Sequence, residues 1–274
     1  MITLIGSISD YDSLSKEQLF NELMFLTTPL IVNSSVGTGF FFAFHVNEKR
    51  HLSIITNKHI AGEGLKMTQL WFHHGKNHFE AIHLVKELKW YQHPSHDLSI
   101  AFIDGILEDL EKTGGVHLFY LHENNLPTED FLRKLSPVEN LLMIGYPGGK
   151  WETAHLLPIF RLGHTAYHPA IDYNNEGVGI SDITASLGSS GSPVMIFDQG
   201  SYIDGNSLIV GSRLALLGVQ SKSSTTPVLK RVVDMSGNAT YVPIDELHTF
   251  MNLGIYVRFE KILDFKKVLE ENIK

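Results

Sequence analysis

Two hydrophobic periods divide this chain. Near its start, SKEQLFNELMFL sets Leu19, Phe20, Leu23, Met24 and Leu26 at helical spacing, and Ser15 stands three residues before Gln18 as a capping box. This predicts an N-terminal helix packed on the body. At the other end, FEKILDFKKVLEENIK places Ile262, Leu263, Phe265, Val268, Leu269 and Ile273 three or four residues apart with charges between them, which predicts a C-terminal amphipathic helix. Between the two the period shortens. Runs such as FFFAFHV, LSIIT, LWFHH, LSIAFI, LLMIGY, PVMIF, LIVGSRLALLGV and GIYVRF are bounded by Gly, Pro, Asn or Asp and read as strands. Many short strands without intervening helices predict an all-β protein of antiparallel barrels or sandwiches. The stretch 105–137 is more polar, contains Gly114 and Gly115, has room for one short helix opened by Thr128, and reads as a connector.

Composition narrows the function. Hydrophobic residues make up 43% and charged residues 19%, enough apolar surface for a folded core. Lys plus Arg number 22 against 30 Asp plus Glu, a net charge of -8 with no basic patch, so nucleic acid is not expected as a partner. There is no cysteine, which excludes disulfides, thiolate metal sites and a Cys nucleophile; any nucleophile is oxygen or nitrogen. Asp10, Asp12, Glu17 and Glu22 stand where a signal peptide needs a basic start, and no run approaches the roughly 18 apolar residues of a membrane helix. A cytoplasmic protein with no membrane partner is expected. His73, His74, His78 and His83 in WFHHGKNHFEAIH invite a metal, but the flanks look like strands joined by a Gly-Lys-Asn turn; a solvated hairpin is the better reading, and neither metal nor cofactor is expected.

Chemistry concentrates in three pieces. SIITNKHIAG ends a strand with His59, HPSHDLSIAFID opens one with Asp97, and ASLGSSGSPVMIF puts Ser190 in a glycine-flanked turn before another. In that order they resemble the chymotrypsin-like, or trypsin-like, serine peptidases, in the cysteine-free bacterial form related to the HtrA protease domain, without a PDZ module after Phe259. GTGFFF, LLMIGYPGG, LLGVQSK and GIYVRF followed by a helix add matches from about Val36 to the C-terminal helix. The resemblance implies two six-stranded antiparallel barrels with an added N-terminal and C-terminal helix. The segments would be 1–29 (N-terminal helical), 30–110 (first barrel), 111–136 (connector), 137–258 (second barrel) and 259–274 (C-terminal helix).

The residue types suit such chemistry. A serine hydroxyl is a weak nucleophile that needs a base beside it, the role of His59; a carboxylate must orient and stabilise that imidazole, the role of Asp97, with Asp104 as nearest competitor. The turn can aim the backbone amides of Gly188 and Ser190 at a developing oxyanion. The resemblance further places Thr184 at the base of the substrate pocket, with walls at Ser221, Ser223 and Gly254; lacking an acid, that pocket suits a small or medium uncharged side chain. Two features depart from the secreted digestive pattern. Ser189 replaces the aspartate that would pair with a newly cut N-terminus, and Ile31 in LIVNSS reads as strand entry rather than a processed start. A long insertion, Ser223 to Leu253, separates the two cleft-lining strands and reads as a loop that restricts or regulates the site.

The leading expectation is thus a regulated intracellular serine endopeptidase with a protein or peptide substrate and an activating partner protein. A catalytically silent binding module or scaffold of the same fold is the alternative. A third reading, an α/β-hydrolase esterase pairing Ser190 with His248, lacks the G-x-S-x-G elbow, since the fifth position is Ser192.

Overall fold

The computed structural model describes residues 3–4, 21–74, 80–111, 116–149, 151–152, 154–205, 207–233 and 239–272. After a short strand β1 (Thr3–Leu4), six strands follow: β2 (Thr27–Val32), β3 (Ser35–Val46), β4 (Lys49–Thr56), β5 (Gly64–His74), β6 (Glu80–Gln92) and β7 (Ser99–Phe102). They close in the order β2-β3-β4-β7-β6-β5, with β5 pairing back to β2, and every neighbour is antiparallel. Short strands β8 (His117–Leu118) and β9 (Leu121–His122) lie in the connector, beside β1 and β3 respectively. The second barrel is built from β10 (Asn140–Gly145), β11 (Ile159–Thr165), β12 (Val178–Asp182), β13 (Pro193–Asp198), β16 (Arg213–Val233) and β17 (Ala239–Arg258), closed in the order β10-β11-β12-β17-β16-β13. Between β13 and β16 the hairpin β14 (Ser201–Asp204) and β15 (Ser207–Val210) stands outside it. The architecture is the expected pair of six-stranded antiparallel barrels.

Burial explains why the strand runs carry so little alternation. In β3, Phe40, Phe42 and Phe44 face a cluster between the barrels, where they meet Leu142, Ile144, Met195 and Val219 of the second barrel. Phe41 and Ala43, on the opposite face, fill the first barrel with Leu70, Phe72 and Trp90. A strand buried on both faces has no polar side to present, so it reads as a continuous apolar run. The second barrel has its own interior, including Leu141, Met143, Val194, Ile196 and Tyr256.

The C-terminal helix is split at Asp264 into Glu260–Leu263 and Phe265–Asn272. Ile262, Phe265 and Leu269 join the inter-barrel cluster, each buried side chain contributing about 1.5–3 kcal/mol, while Leu263 is exposed. Of the predicted N-terminal helix only the last turn, Asn21 to Leu23, is described, and the stretch 5–20 lies outside the described residues. Leu23 and Leu26 are fully buried against the same cluster. The connector carries the helix at Thr128, whose Oγ1 accepts the Phe131 amide at 3.2 Å, and a further helix, Asp104–Glu111. Ile31 is strand, paired with Val36 and Gln69. Among the described residues no helix is long and apolar enough to cross a membrane.

One expectation is corrected. The insertion Ser223 to Leu253 is not a loop: β16 and β17 run on past the barrel as a two-stranded arm, paired from Thr225 with Phe250 out to Val233 with Ala239, with a register shift between Pro227 and Leu229. Its β-branched and aromatic residues (Thr225, Thr226, Val228, Val232, Thr240, Tyr241) favour strand even without a core beneath them.

Candidate active site

His59 and Asp97 come together on the first barrel. Strand β4 ends at Thr56, and the chain turns into a single helical turn, Lys58–Ala61, that carries His59. Asp97 closes the crossing from β6 to β7, where the Asn57 side chain holds its carbonyl at 2.8 Å. His59 Nδ1 lies 2.8 Å from Asp97 Oδ2, and the His59 amide donates to Oδ1 at 3.0 Å. This gripping of one carboxylate by ring and amide fixes the imidazole orientation and leaves Nε2 to act outward. Ser221 Oγ gives Asp97 Oδ2 a further hydrogen bond at 2.6 Å. Burial would push the Asp97 carboxyl up, but bonds from the His59 ring, the Ser221 hydroxyl and the His59 amide together hold it below the usual carboxylate range. Asp104, the competitor, is engaged elsewhere, with His51 Nδ1 at 3.0 Å and the Leu52 amide at 2.8 Å.

Ser190 belongs to the second barrel, in the turn that leads into β13. The turn is tied to the first barrel through Thr38 of β3: the Thr38 amide donates to Ser190 O at 2.8 Å, and Thr38 Oγ1 donates to Gly188 O at 2.9 Å while accepting the Tyr146 amide at 3.0 Å. Gly188 has φ 86°, a left-handed conformation that favours glycine, and a side chain there would run into the Tyr146 carbonyl and lie 2.7 Å from Gly149 N. The Leu187 carbonyl is turned away to accept the Gly148 amide. Among the described residues the amides of Gly188 and Ser190 meet no acceptor, so both donors are free for a ligand oxygen. Ser190 Oγ donates to Ser221 O at 3.3 Å rather than to His59.

A cavity of about 300 Å³ opens beside Ser190, lined by Ala185, Ser186, Leu187, Gln220, Ser221, Lys222, Ser223 and Thr225. Two predicted pocket residues, Ser221 and Ser223, are among them. Thr184 and Gly254 are not: Thr184 Oγ1 meets Asn252 Oδ1 at 3.4 Å, and Gly254 backs onto Gln220 and Ser181. No carboxylate lines the cavity. Sequence reasoning missed Thr38, whose signal was only a threonine between two glycines, and the donor role of Ser221, which no local pattern announces. His248 sits out on the arm, in register with Pro227. Of the histidines considered for a metal, His73 Nε2 is bound to His155 O at 2.8 Å, His83 stacks on Trp71, and His78 lies outside the described residues.

No family model and no curated protein matches the sequence. Among solved structures, the Rv3671c protease in its inactive form aligns over 97% of this chain and 98% of its own, with 13% identity and a TM-score of 0.45. The thermostable serine protease AL20 from an extremophilic microorganism aligns over 92% of this chain and 99% of its own, with 12% identity and a TM-score of 0.46. At such identities the functional reading rests on the geometry of the site.

Proposed function

We propose that the protein is a serine endopeptidase that cleaves a protein substrate inside the cell through His59, Asp97 and Ser190. One observation carries the reading: Ser221 touches both halves of the site, its hydroxyl on Asp97 and its carbonyl receiving the Ser190 hydroxyl. Orienting carboxylate and nucleophile thus meet at one residue, and the carboxylate in turn holds the base His59.

In the proposed reaction a substrate amide takes the Ser221 carbonyl, and the Ser190 hydroxyl turns to His59 Nε2. His59 accepts the proton as Ser190 Oγ attacks the scissile carbonyl, and the oxyanion that forms is held by the Gly188 and Ser190 amides. Asp97, ionised at neutral pH, stabilises the imidazolium. His59 then protonates the leaving amine, and water, activated by the same imidazole, hydrolyses the acyl-enzyme. The resting bond from Ser190 to Ser221 is the contact that a substrate or an activating partner releases. The cavity, which no carboxylate lines and which Lys222 borders, favours a small or medium uncharged residue before the cleaved bond.

The test is hydrolysis of a denatured protein such as casein by the purified chain, read as fragment masses beside Ser190→Ala. Fragments from the wild type and none from the variant support the reading. Fragments at equal rate from both, or none from either, contradict it and leave the scaffold alternative.

A further inference from the structure

The connection that carries Asp97 has no regular structure of its own. Strands β6 and β7 pair as far as Gln92 with Ser99, and the stretch 93–98 between them is a loop closed by the His93 amide, which donates to Leu98 O at 2.9 Å. Inside this loop stands a buried imidazole. His93 is 3% exposed, and its Nδ1 receives the amides of Ser95 at 3.2 Å and of His96 at 3.0 Å. Those are the two residues before Asp97. The loop is wrapped around one ring nitrogen, which gives its backbone donors the partner that a strand ladder gives elsewhere.

A nitrogen that accepts two amides cannot bear a proton, so the neutral ring carries its hydrogen on Nε2. That hydrogen is taken by the C-terminal helix. Nε2 donates to Asp264 Oδ2 at 2.9 Å, at the break between the two helical pieces, and the ring meets Phe265 edge-on at 5.9 Å. His96 closes the other side of the loop. Its Nδ1 lies 3.3 Å from His93 Nδ1, and its ring packs against Gly177, just before β12, where an added Cβ would stand 2.3 Å from His96 Nε2. A ring that only filled space would be indifferent to which nitrogen bears the proton; here both nitrogens are committed.

Resting on the serine-peptidase reading, we propose that His93 is a positioning residue for Asp97, and that Asp264 holds His93 in the tautomer this requires. The Asp97 carboxylate is gripped by the His59 ring and amide and by Ser221, but those bonds form only where the loop delivers the carboxylate to them. The two amides on His93 Nδ1 set the backbone path that delivers it. The C-terminal helix thereby acts on the catalytic carboxylate without touching it. A second pair of carboxylate and imidazole, Asp264 with His93, thus supports the first, Asp97 with His59.

Two replacements in the full chain separate the two ring nitrogens. In His93→Asn the side-chain oxygen takes the place of Nδ1 and keeps an acceptor for the loop amides; in His93→Gln the side-chain nitrogen takes the place of Nε2, keeps the bond to Asp264 and leaves the amides unmet. Turnover is measured on a peptide drawn from a casein cleavage site, per chain that carries a fluorophosphonate adduct at completion, so unfolded protein drops out. His93→Gln should lower kcat about thirtyfold with KM unchanged, and His93→Asn only about threefold. The acid limb of kcat/KM, which reports the His59 imidazole, should move down by about one pH unit in His93→Gln alone, because a displaced Asp97 no longer stabilises the imidazolium. Equal losses in the two variants, or an acid limb that stays in place, would make His93 a core residue and overturn the proposal. Asp264 is half-exposed and keeps the test open if neither His93 variant folds. Asp264→Ala should lower kcat about threefold, and Asp264→Asn, which retains an oxygen for Nε2, should recover most of it; equal rates in the two would count against the tautomer lock. An adduct on Ser190 with wild-type turnover in His93→Gln removes the positioning role alone. No adduct and no hydrolysis by the wild type removes the serine-peptidase reading and the positioning role together.

Discussion

On the first barrel, His59 and Asp97 are joined side chain to side chain and depend on which groups stand at those two positions. On the second, Ser190 is placed by backbone: a turn held by Thr38, by the left-handed Gly188, and by the Tyr146–Gly149 segment packed behind it. The base half is therefore sensitive to the chemistry of its side chains, whereas the nucleophile half is sensitive to added bulk where glycine stands. Ser221 bridges the two and belongs to both.

The comparison can be tested in descending order of effect. Ser190→Ala and His59→Ala should each lower kcat by about 10⁶, with the double variant little worse than either, because the groups act as a unit. Asp97→Asn should cost about 10⁴ through the wrong imidazole tautomer, with the fold intact by circular dichroism. If Asp97→Asn were harmless, the base half would not be organised as described. Gly188→Ala should lower kcat by roughly 10²–10³, the loss of one oxyanion donor, while leaving the His59 to Asp97 bond intact. Ser221→Ala keeps the carbonyl that receives Ser190 and loses only the hydroxyl on Asp97, so about a tenfold decrease is expected. A loss as large as that of Asp97→Asn would make Ser221 more than a brace.

The smallest effect concerns pH and stability. Burial lowers the pKa of His73 from its ordinary 6.5, the nearby His117 and His155 act in the same direction, and the hydrogen bond to the His155 carbonyl opposes them. Burial also lowers His122. The unfolded chain then binds protons more readily than the folded one, so unfolding free energy should be fully present above pH 6.5 and decline as pH falls below it toward the folded-state values. Urea melts between pH 5 and 7.5 measure this, and His73→Gln should flatten part of the slope. A stability independent of pH over that range would contradict the buried, neutral state of these rings.

Much of this was legible in the sequence for a physical reason. Continuous apolar runs such as FFFAF mark strands buried on both faces, and two barrels packed together create many of them. Asp97 was separable from Asp104 because one opens its strand and the other ends it; the two carboxylates indeed bind different histidines. The arm was misread because its described β16 side chains, Lys222 to Val232, are all exposed or half-buried, so no alternation marks the strand and only β-propensity is left as its signal. Thr38 and Ser221 were invisible in their roles because they act across long sequence separations. The pocket positions Thr184 and Gly254 were carried over by spacing from the nucleophile and from the family's walls, and the course of β16 and β17 here puts other residues along the cavity.

The central claim is that His59, Asp97 and Ser190 form one working unit with the free amides of Gly188 and Ser190. Intact mass after exposure to a fluorophosphonate probe tests it most directly, with wild type, Ser190→Ala and His59→Ala run side by side. The account predicts one adduct on the wild type, mapped to Ser190, and none on either variant. An unmodified wild type in folded form, or an adduct that persists in His59→Ala, would contradict it.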